Sequence, residues 1–125
     1  MRNILCGLAL ISFAAPAFAQ TAAPGPDDAI AAARNQLGVL EYCQSKDYID
    51  GTAVETQTKI LEMLPPATDT AKIDAAYEAG KAGTVSAMGI EQSIADAATA
   101  QGVDEAALCT QMATMLEQAA AQLPQ

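Results

Sequence analysis

The chain has no histidine and no tryptophan, and both of its phenylalanines, Phe13 and Phe18, lie within the first nineteen residues. Without histidine there is no imidazole for acid–base chemistry, for activating a serine or cysteine nucleophile, or for binding a metal ion. Carboxylates are numerous but dispersed, and the chain lacks the aromatic rings that usually line a glycosidase cleft. We therefore expect no catalytic, cofactor-binding or metal-binding residues, and we interpret the protein as a non-enzyme.

Basic residues are also scarce, because six Lys and Arg accompany fifteen Asp and Glu, for a net charge of −9. Removal of a leader that contains Arg2 would make the net charge −10. This charge repels nucleic acid and anionic lipid headgroups, and no basic stripe offsets it, so we expect no nucleic-acid partner. We interpret the acidic residues as a solvated surface, with an acidic docking face for a basic partner as the alternative.

The first nineteen residues have the layout of a secretory signal peptide. Arg2 precedes an apolar run from Ile4 to Ala15, and the small-x-small sequence Ala17–Ala19 follows as a cleavage site. The run is too short to span a bilayer as a helix, and no later run is long enough for a stable membrane span. We expect residues 1–19 to be removed, which predicts a periplasmic or secreted mature protein that starts at Gln20.

Two cysteines remain in the mature chain, Cys43 and Cys109, because Cys6 belongs to the leader. An even pair in an oxidising compartment predicts a disulfide, with free or metal-bound thiols as the alternative. There is no Cys-x-x-Cys spacing to favour a redox role. The segment 20–26 is small, polar and rich in Pro and Gly, which predicts a flexible N-terminal lead before a helical domain over 27–125.

Apolar residues recur at spacings of three and four, and no window alternates apolar and polar residues for the length of a strand. The pattern predicts an all-α fold, a compact bundle of four to five short helices with one disulfide. We expect a first helix from about Asp27 to Lys46, with Gly38 at a close helix crossing. Pro65 and Pro66 are expected to end the second helix.

Several helix ends carry capping signals. Thr52 and Glu55 have the spacing of a capping box, and the segment 68–70 offers caps for a third helix. Gly102 is expected to end a fourth helix, and Asp104 to cap the last one. The last helix would then bury one face, formed by Leu108, Met112, Met115, Leu116, Ala119 and Leu123.

A row of small residues at a spacing of four is the most unusual pattern of the third helix. Its members are Ala71, Ala75, Ala79, Gly83 and Ala87. On a continuous helix they would form one ridge that another helix can approach closely, so they are our candidate helix-packing surface. Because glycine weakens helices, we also expect either a bend or a break between Gly80 and Gly89.

Three segments and the leader carry a family resemblance that covers nearly the whole mature chain. The segments are Asn35–Cys43, Gly80–Gly89 and Ala107–Cys109. They resemble a family of small, secreted, alanine-rich helical proteins of bacteria whose role is uncharacterised. Members are sometimes labelled pore-forming relatives of the early secretory antigen family, whose Trp-x-Gly signature has no counterpart here. The resemblance implies an exported helical protein and, through that label, action on membranes.

These patterns favour a small exported protein that works by binding, as a chaperone-like, inhibitory or assembly partner. The sequence does not identify its protein partner and leaves self-association open. The alternative is a membrane-active protein that forms pores from amphipathic helices.

Overall fold

The computed structural model describes residues 24–87 and 89–124, so the expected signal peptide and most of the expected lead lie outside the described residues. Five helices and one two-stranded sheet occur in the described ranges. They are α1 (Pro26–Ser45), α2 (Thr52–Glu62), α3 (Thr70–Lys81), β1 (Thr84–Ala87), β2 (Ile90–Ser93), α4 (Ile94–Gln101) and α5 (Glu105–Ala120). The prediction of a compact helical bundle is confirmed.

The predicted disulfide is also confirmed. Cys43 near the end of α1 is bonded to Cys109 in the second turn of α5, with their Cα atoms 5.8 Å apart. Both cysteines are fully buried, in a cluster that includes Val39, Ile94 and Leu108. The bond therefore joins the first and last helices inside the core, and bonds of this kind are typical of proteins in oxidising compartments.

Most of the predicted helix ends are found in the structure. The Asp104 carboxylate accepts a hydrogen bond of 2.7 Å from the Ala107 backbone N–H, and Asp69 caps α3 in the same way. Gly102 ends α4 in the left-handed region, with φ of 69°, and the Val103 N–H then donates to the Ala98 carbonyl. These ends are set by interactions within a few residues of sequence.

The start of α2 differs from the sequence prediction. Gly51 is the N-cap residue, and Thr52 is already helical, so Thr52 and Glu55 do not form a capping box. The Asp50 carboxylate, one residue before the N-cap, accepts a hydrogen bond of 2.9 Å from the Thr52 N–H. This bond satisfies one of the free backbone donors of the first turn. At the other end, α2 stops at Glu62, before the two prolines.

The all-α pattern did not include one small feature, because Thr84–Ala87 and Ile90–Ser93 pair as an antiparallel hairpin. Thr84 pairs with Ser93, and Ala87 pairs with Ile90. Gly83 precedes the hairpin with φ of 85°, and Gly89 lies at its tip with φ of 78°, a backbone conformation that glycine adopts without strain. The expected interruption between Gly80 and Gly89 is therefore a complete break of the helix.

The break also means that the five small residues do not form one helical ridge. Because α3 ends at Lys81, Gly83 lies in the following turn and Ala87 in β1. On α3 itself, Ala71 and Ala75 are exposed and Ala79 is only partly buried. Ile73 and Gly80 are the buried residues of α3, so its packed face is rotated away from the alanine row.

The close crossing expected at Gly38 is present, between α1 and α3. A Cβ atom added at Gly38 would lie within 3.0 Å of backbone atoms of Tyr77 and Lys81. Gly80 is the matching residue on α3, since its added Cβ would lie equally close to the Asn35 carbonyl oxygen. The two backbones touch at this crossing, which brings the end of α3 and the hairpin against α1.

Candidate docking groove

Asn35 fixes the position of the hairpin on α1. It is 2% exposed, and its side-chain amide donates to the carbonyls of Ala76 and Thr84 at 2.9 Å. Its side-chain oxygen accepts the Ser86 N–H at 2.8 Å. A single side chain thus satisfies two backbone groups, the Thr84 carbonyl and the Ser86 N–H, on the edge of β1 that faces away from β2. Sequence reasoning missed this role, although a polar residue between Ala31 and Val39 on a buried helical stripe was a signal for it.

An open groove lies beside this junction, between α1, β1 and α5. Its volume is about 380 Å³, within the range of binding sites for small molecules and peptide side chains. The α1 wall is formed by Ala29, Ala32, Ala33, Asn35, Gln36 and Val39. Val85 of β1 and Met112 of α5 complete its floor.

A second basin of about 270 Å³ adjoins the first, between α4, α5 and β1. It shares Val85 and Met112 with the first basin and is otherwise formed by Ala97, Gln101, Leu108, Gln111 and Met115. We call the two basins together the docking groove. No lining residue of either basin is charged.

Two large apolar side chains are exposed, one in the groove and one on the hairpin. Met115 of α5 is 68% exposed, and Ile90 of β2 is 69% exposed. Ile90 lies on the same face of the hairpin as Val85, because Val85 pairs with Gln92 and residues two apart on a strand share a face. One face of the hairpin therefore carries Val85 in the groove and Ile90 next to the hairpin tip.

The exposure of Met115 corrects the predicted packing of α5. Leu108 and Leu116 of the expected face are buried, but Met115, Ala119 and Leu123 are exposed. Cys109 must point inward to reach Cys43, which turns Cys109, Ala113 and Leu116 towards the core. This rotation places Met112 and Met115 at the groove.

Charge is distributed unevenly around the groove. The chain contains no Lys or Arg after Lys81, whereas Glu91, Asp96, Asp104, Glu105 and Glu117 follow it. The hairpin, α4 and α5 therefore carry negative charge alone. On α1, the Arg34 guanidinium carbon lies 5.9 Å from the centre of the Tyr77 ring, on the side of α3. The groove is an uncharged surface with acidic surroundings.

Two tyrosine–carboxylate contacts tie α1 to other helices. The Tyr77 hydroxyl donates to Glu41 at 2.6 Å, and this bond, together with burial and the negative charge, raises the pKa of Tyr77 to about 12. Burial and the nearby Glu105 carboxylate likewise raise the pKa of Tyr42, whose hydroxyl lies 3.4 Å from Glu105. These neutral phenols act as hydrogen-bond donors between helices.

The described residues contain no group of three or more Cys, Asp or Glu side chains arranged to hold a metal ion. Within the same ranges, no helix has the length and apolarity needed to cross a membrane. Comparison with protein-family models, with curated proteins and with solved structures finds no match to the chain. The fold and the docking groove thus define a disulfide-bonded helical bundle with an open apolar groove.

Proposed function

We propose that this protein is a small exported binding protein, periplasmic or secreted, that holds a segment of a partner protein in the docking groove and catalyses no reaction. The observation that carries the proposal is the groove itself, an open and largely apolar surface with no charged lining residue, three of whose four contributing elements, β1, α4 and α5, carry no basic residue. A concave surface that is mostly apolar and carries a few polar groups is typical of binding sites.

Burial energetics support binding at this surface. Full burial of a methionine or isoleucine side chain stabilises a protein by roughly 1.5–3 kcal/mol, and the fold leaves Met115 and Ile90 mostly in water. A partner that covers both side chains would gain this energy on association. Export is supported by the leader layout of residues 1–19 and by the Cys43–Cys109 disulfide.

Site-specific photocrosslinking in the native host tests the proposal. A photoreactive amino acid is placed at Ala32 or Gln111 of the groove, and at Lys59 of α2 as the control, all three being exposed. We expect the same discrete protein adduct from both groove positions and none from the control. Adducts of equal yield from all three positions, or adducts with lipid alone, would refute a binding function for the groove.

The membrane-active alternative is favoured by one observation, the exposure of Ile90 and Met115, since exposed apolar side chains can enter lipid. We expect the mature protein, with its disulfide intact, to release no dye from anionic vesicles at neutral pH, because its net charge of −10 repels their surface. Robust leakage under these conditions would replace the binding proposal with the pore. Leakage confined to acid, where carboxylates are protonated, would indicate a pH-dependent second activity.

A further inference from the structure

We propose, as an extension that rests on the proposed function, that the docking groove binds an amphipathic helix of a partner protein, apolar on the buried face and lined with Lys or Arg along its edges.

The shape of the groove favours a helix. Its walls are helices, from Ala29 to Gln36 on α1 and from Leu108 to Met115 on α5, each about two turns long at 1.5 Å per residue. Three of the six side chains on the α1 wall are methyl groups, which permit the 8–10 Å axis separation of packed helices. A bound helix would take the place of one more member of the bundle.

The hydrogen bonding of the hairpin disfavours a bound strand. A peptide that extends a sheet needs a strand edge with free backbone groups. On the groove side, two outward backbone groups of β1, the Thr84 carbonyl and the Ser86 N–H, are already bonded to the Asn35 side chain. A helix satisfies its own backbone and needs no such edge.

The lining chemistry specifies the buried face of the partner. Apolar side chains dominate, and Gln36, Gln101 and Gln111 contribute the amide groups. An unpaired charge buried against this surface would lose its hydration without gaining an opposite charge. The residues of the partner that enter the groove are therefore aliphatic or small.

Charge complementarity specifies the edges of the partner. The hairpin, α4 and α5 carry acidic residues and no basic residue, so a helix with Lys or Arg beside its apolar face is attracted and oriented. A second copy of the chain is disfavoured as the occupant, because it brings the same net negative charge to the same surface.

The test uses a pair of synthetic helical peptides with one identical leucine–alanine face. One peptide has Lys along both edges, and the other has Glu at the same positions. Binding of each labelled peptide to the disulfide-bonded mature protein is measured by fluorescence anisotropy. We expect the Lys peptide to bind about tenfold or more tightly than the Glu peptide, with an affinity that falls as salt is added. Equal affinities, or tighter binding of the Glu peptide, would overturn the proposal.

A matched pair of protein variants locates the binding surface. Met115→Lys changes a groove residue that is 68% exposed, and Met63→Lys changes a residue at the end of α2 that is 63% exposed. Both substitutions raise the net charge by one unit, so general attraction between an acidic protein and a basic peptide changes equally in the two. We expect about a tenfold loss of Lys-peptide affinity for Met115→Lys and little loss for Met63→Lys. Equal losses would place binding outside the groove and refute the proposal.

The peptide and crosslinking results separate the two proposals. Failure of both peptides to bind, with discrete protein adducts still formed at Ala32 and Gln111, would refute the helical partner and leave the binding function standing. Failure of both experiments would refute the binding function as well. A dimer that Met115→Lys disrupts and Met63→Lys preserves, seen by analytical ultracentrifugation, would assign the groove to a second copy of the chain and overturn the inference.

Discussion

Alanine substitution at Gly38 tests the closest packing in the molecule, the crossing of α1 and α3. An added Cβ would lie within 3.0 Å of the Tyr77 carbonyl oxygen and the Lys81 amide nitrogen. These atoms belong to the backbone, so no side-chain rotation can relieve the contact, and the two helices must move apart. Gly80 faces the same problem from the opposite helix.

One stabilising and two destabilising effects decide the outcome of Gly38→Ala. Replacing a glycine inside a helix with alanine stabilises the helix by about 1 kcal/mol. Overpacking typically costs about 1–3 kcal/mol. Separation of the helices also stretches the hydrogen bonds from Asn35 to Ala76 and Thr84, each contributing about 1 kcal/mol. We expect the free energy of unfolding to fall by about 2 kcal/mol, which lowers the Tm of a domain of this size by roughly 10 °C.

Urea and thermal denaturation followed by circular dichroism, with the disulfide intact, measures the effect. Ala75→Leu is the control, because Ala75 is exposed on α3 and its replacement should change stability by less than about 0.5 kcal/mol. The double variant with Gly80→Ala should lose less than the sum of the single losses, since one separation relieves both contacts. A Gly38→Ala protein more stable than the parent would refute the close crossing.

Three further predictions concern the bonds that join α1 to the rest of the fold. Replacing Cys43 and Cys109 with Ser should lower the free energy of unfolding by about 4 kcal/mol, since the bond closes a loop with a sequence separation of 66. Two free thiols in the unreduced, denatured protein would show that the disulfide is absent. Asn35→Leu should lower the free energy of unfolding by about 2 kcal/mol and accelerate amide hydrogen exchange in β1. Unchanged exchange would show that other contacts hold the hairpin. Tyrosinate absorbance should show one ionisation near pH 12 that Tyr77→Phe removes and Glu41→Gln moves to lower pH. Because the pKa of Tyr77 in the folded protein lies above the ordinary value of 10, its stabilising contribution is complete below about pH 10 and is lost between pH 10 and 12.

Features that depend on a few neighbouring residues could be predicted from the sequence. Asp104 and Gly102 mark helix ends because their side chain or backbone conformation acts within one turn. The pairing of Cys43 with Cys109 needed only the count of cysteines in the mature chain. The crossing at Gly38 followed from the cost of glycine inside a helix, which close packing offsets.

The hairpin could not be predicted in this way because its stability is not local. Each strand has only four residues, and an isolated two-stranded hairpin is marginal in water. Here Asn35, about fifty residues away in sequence, supplies hydrogen bonds to β1 that a further strand would otherwise provide. A prediction made from a short stretch of sequence around the hairpin does not include Asn35.

The same limitation explains why the docking groove was missed, and it connects the groove to the disulfide. Helical periodicity groups Leu108, Met112 and Met115 on one side of α5, but it does not say which side faces the core. The bond to Cys43 settles the rotation, because Ala113 and Leu116, on the side of Cys109, then pack against Leu40 and Ala53.

With α5 held in this orientation, Met112 is only partly buried and Met115 is left exposed beside Val85. Apolar side chains that periodicity assigns to the core thereby become part of a groove open to solvent. The disulfide thus has two consequences, since it stabilises the bundle and also keeps an apolar surface out of the core. The periodicity of the sequence assigns this apolar stripe to the interior, but the fold leaves it exposed. A binding partner should be sought at such a surface.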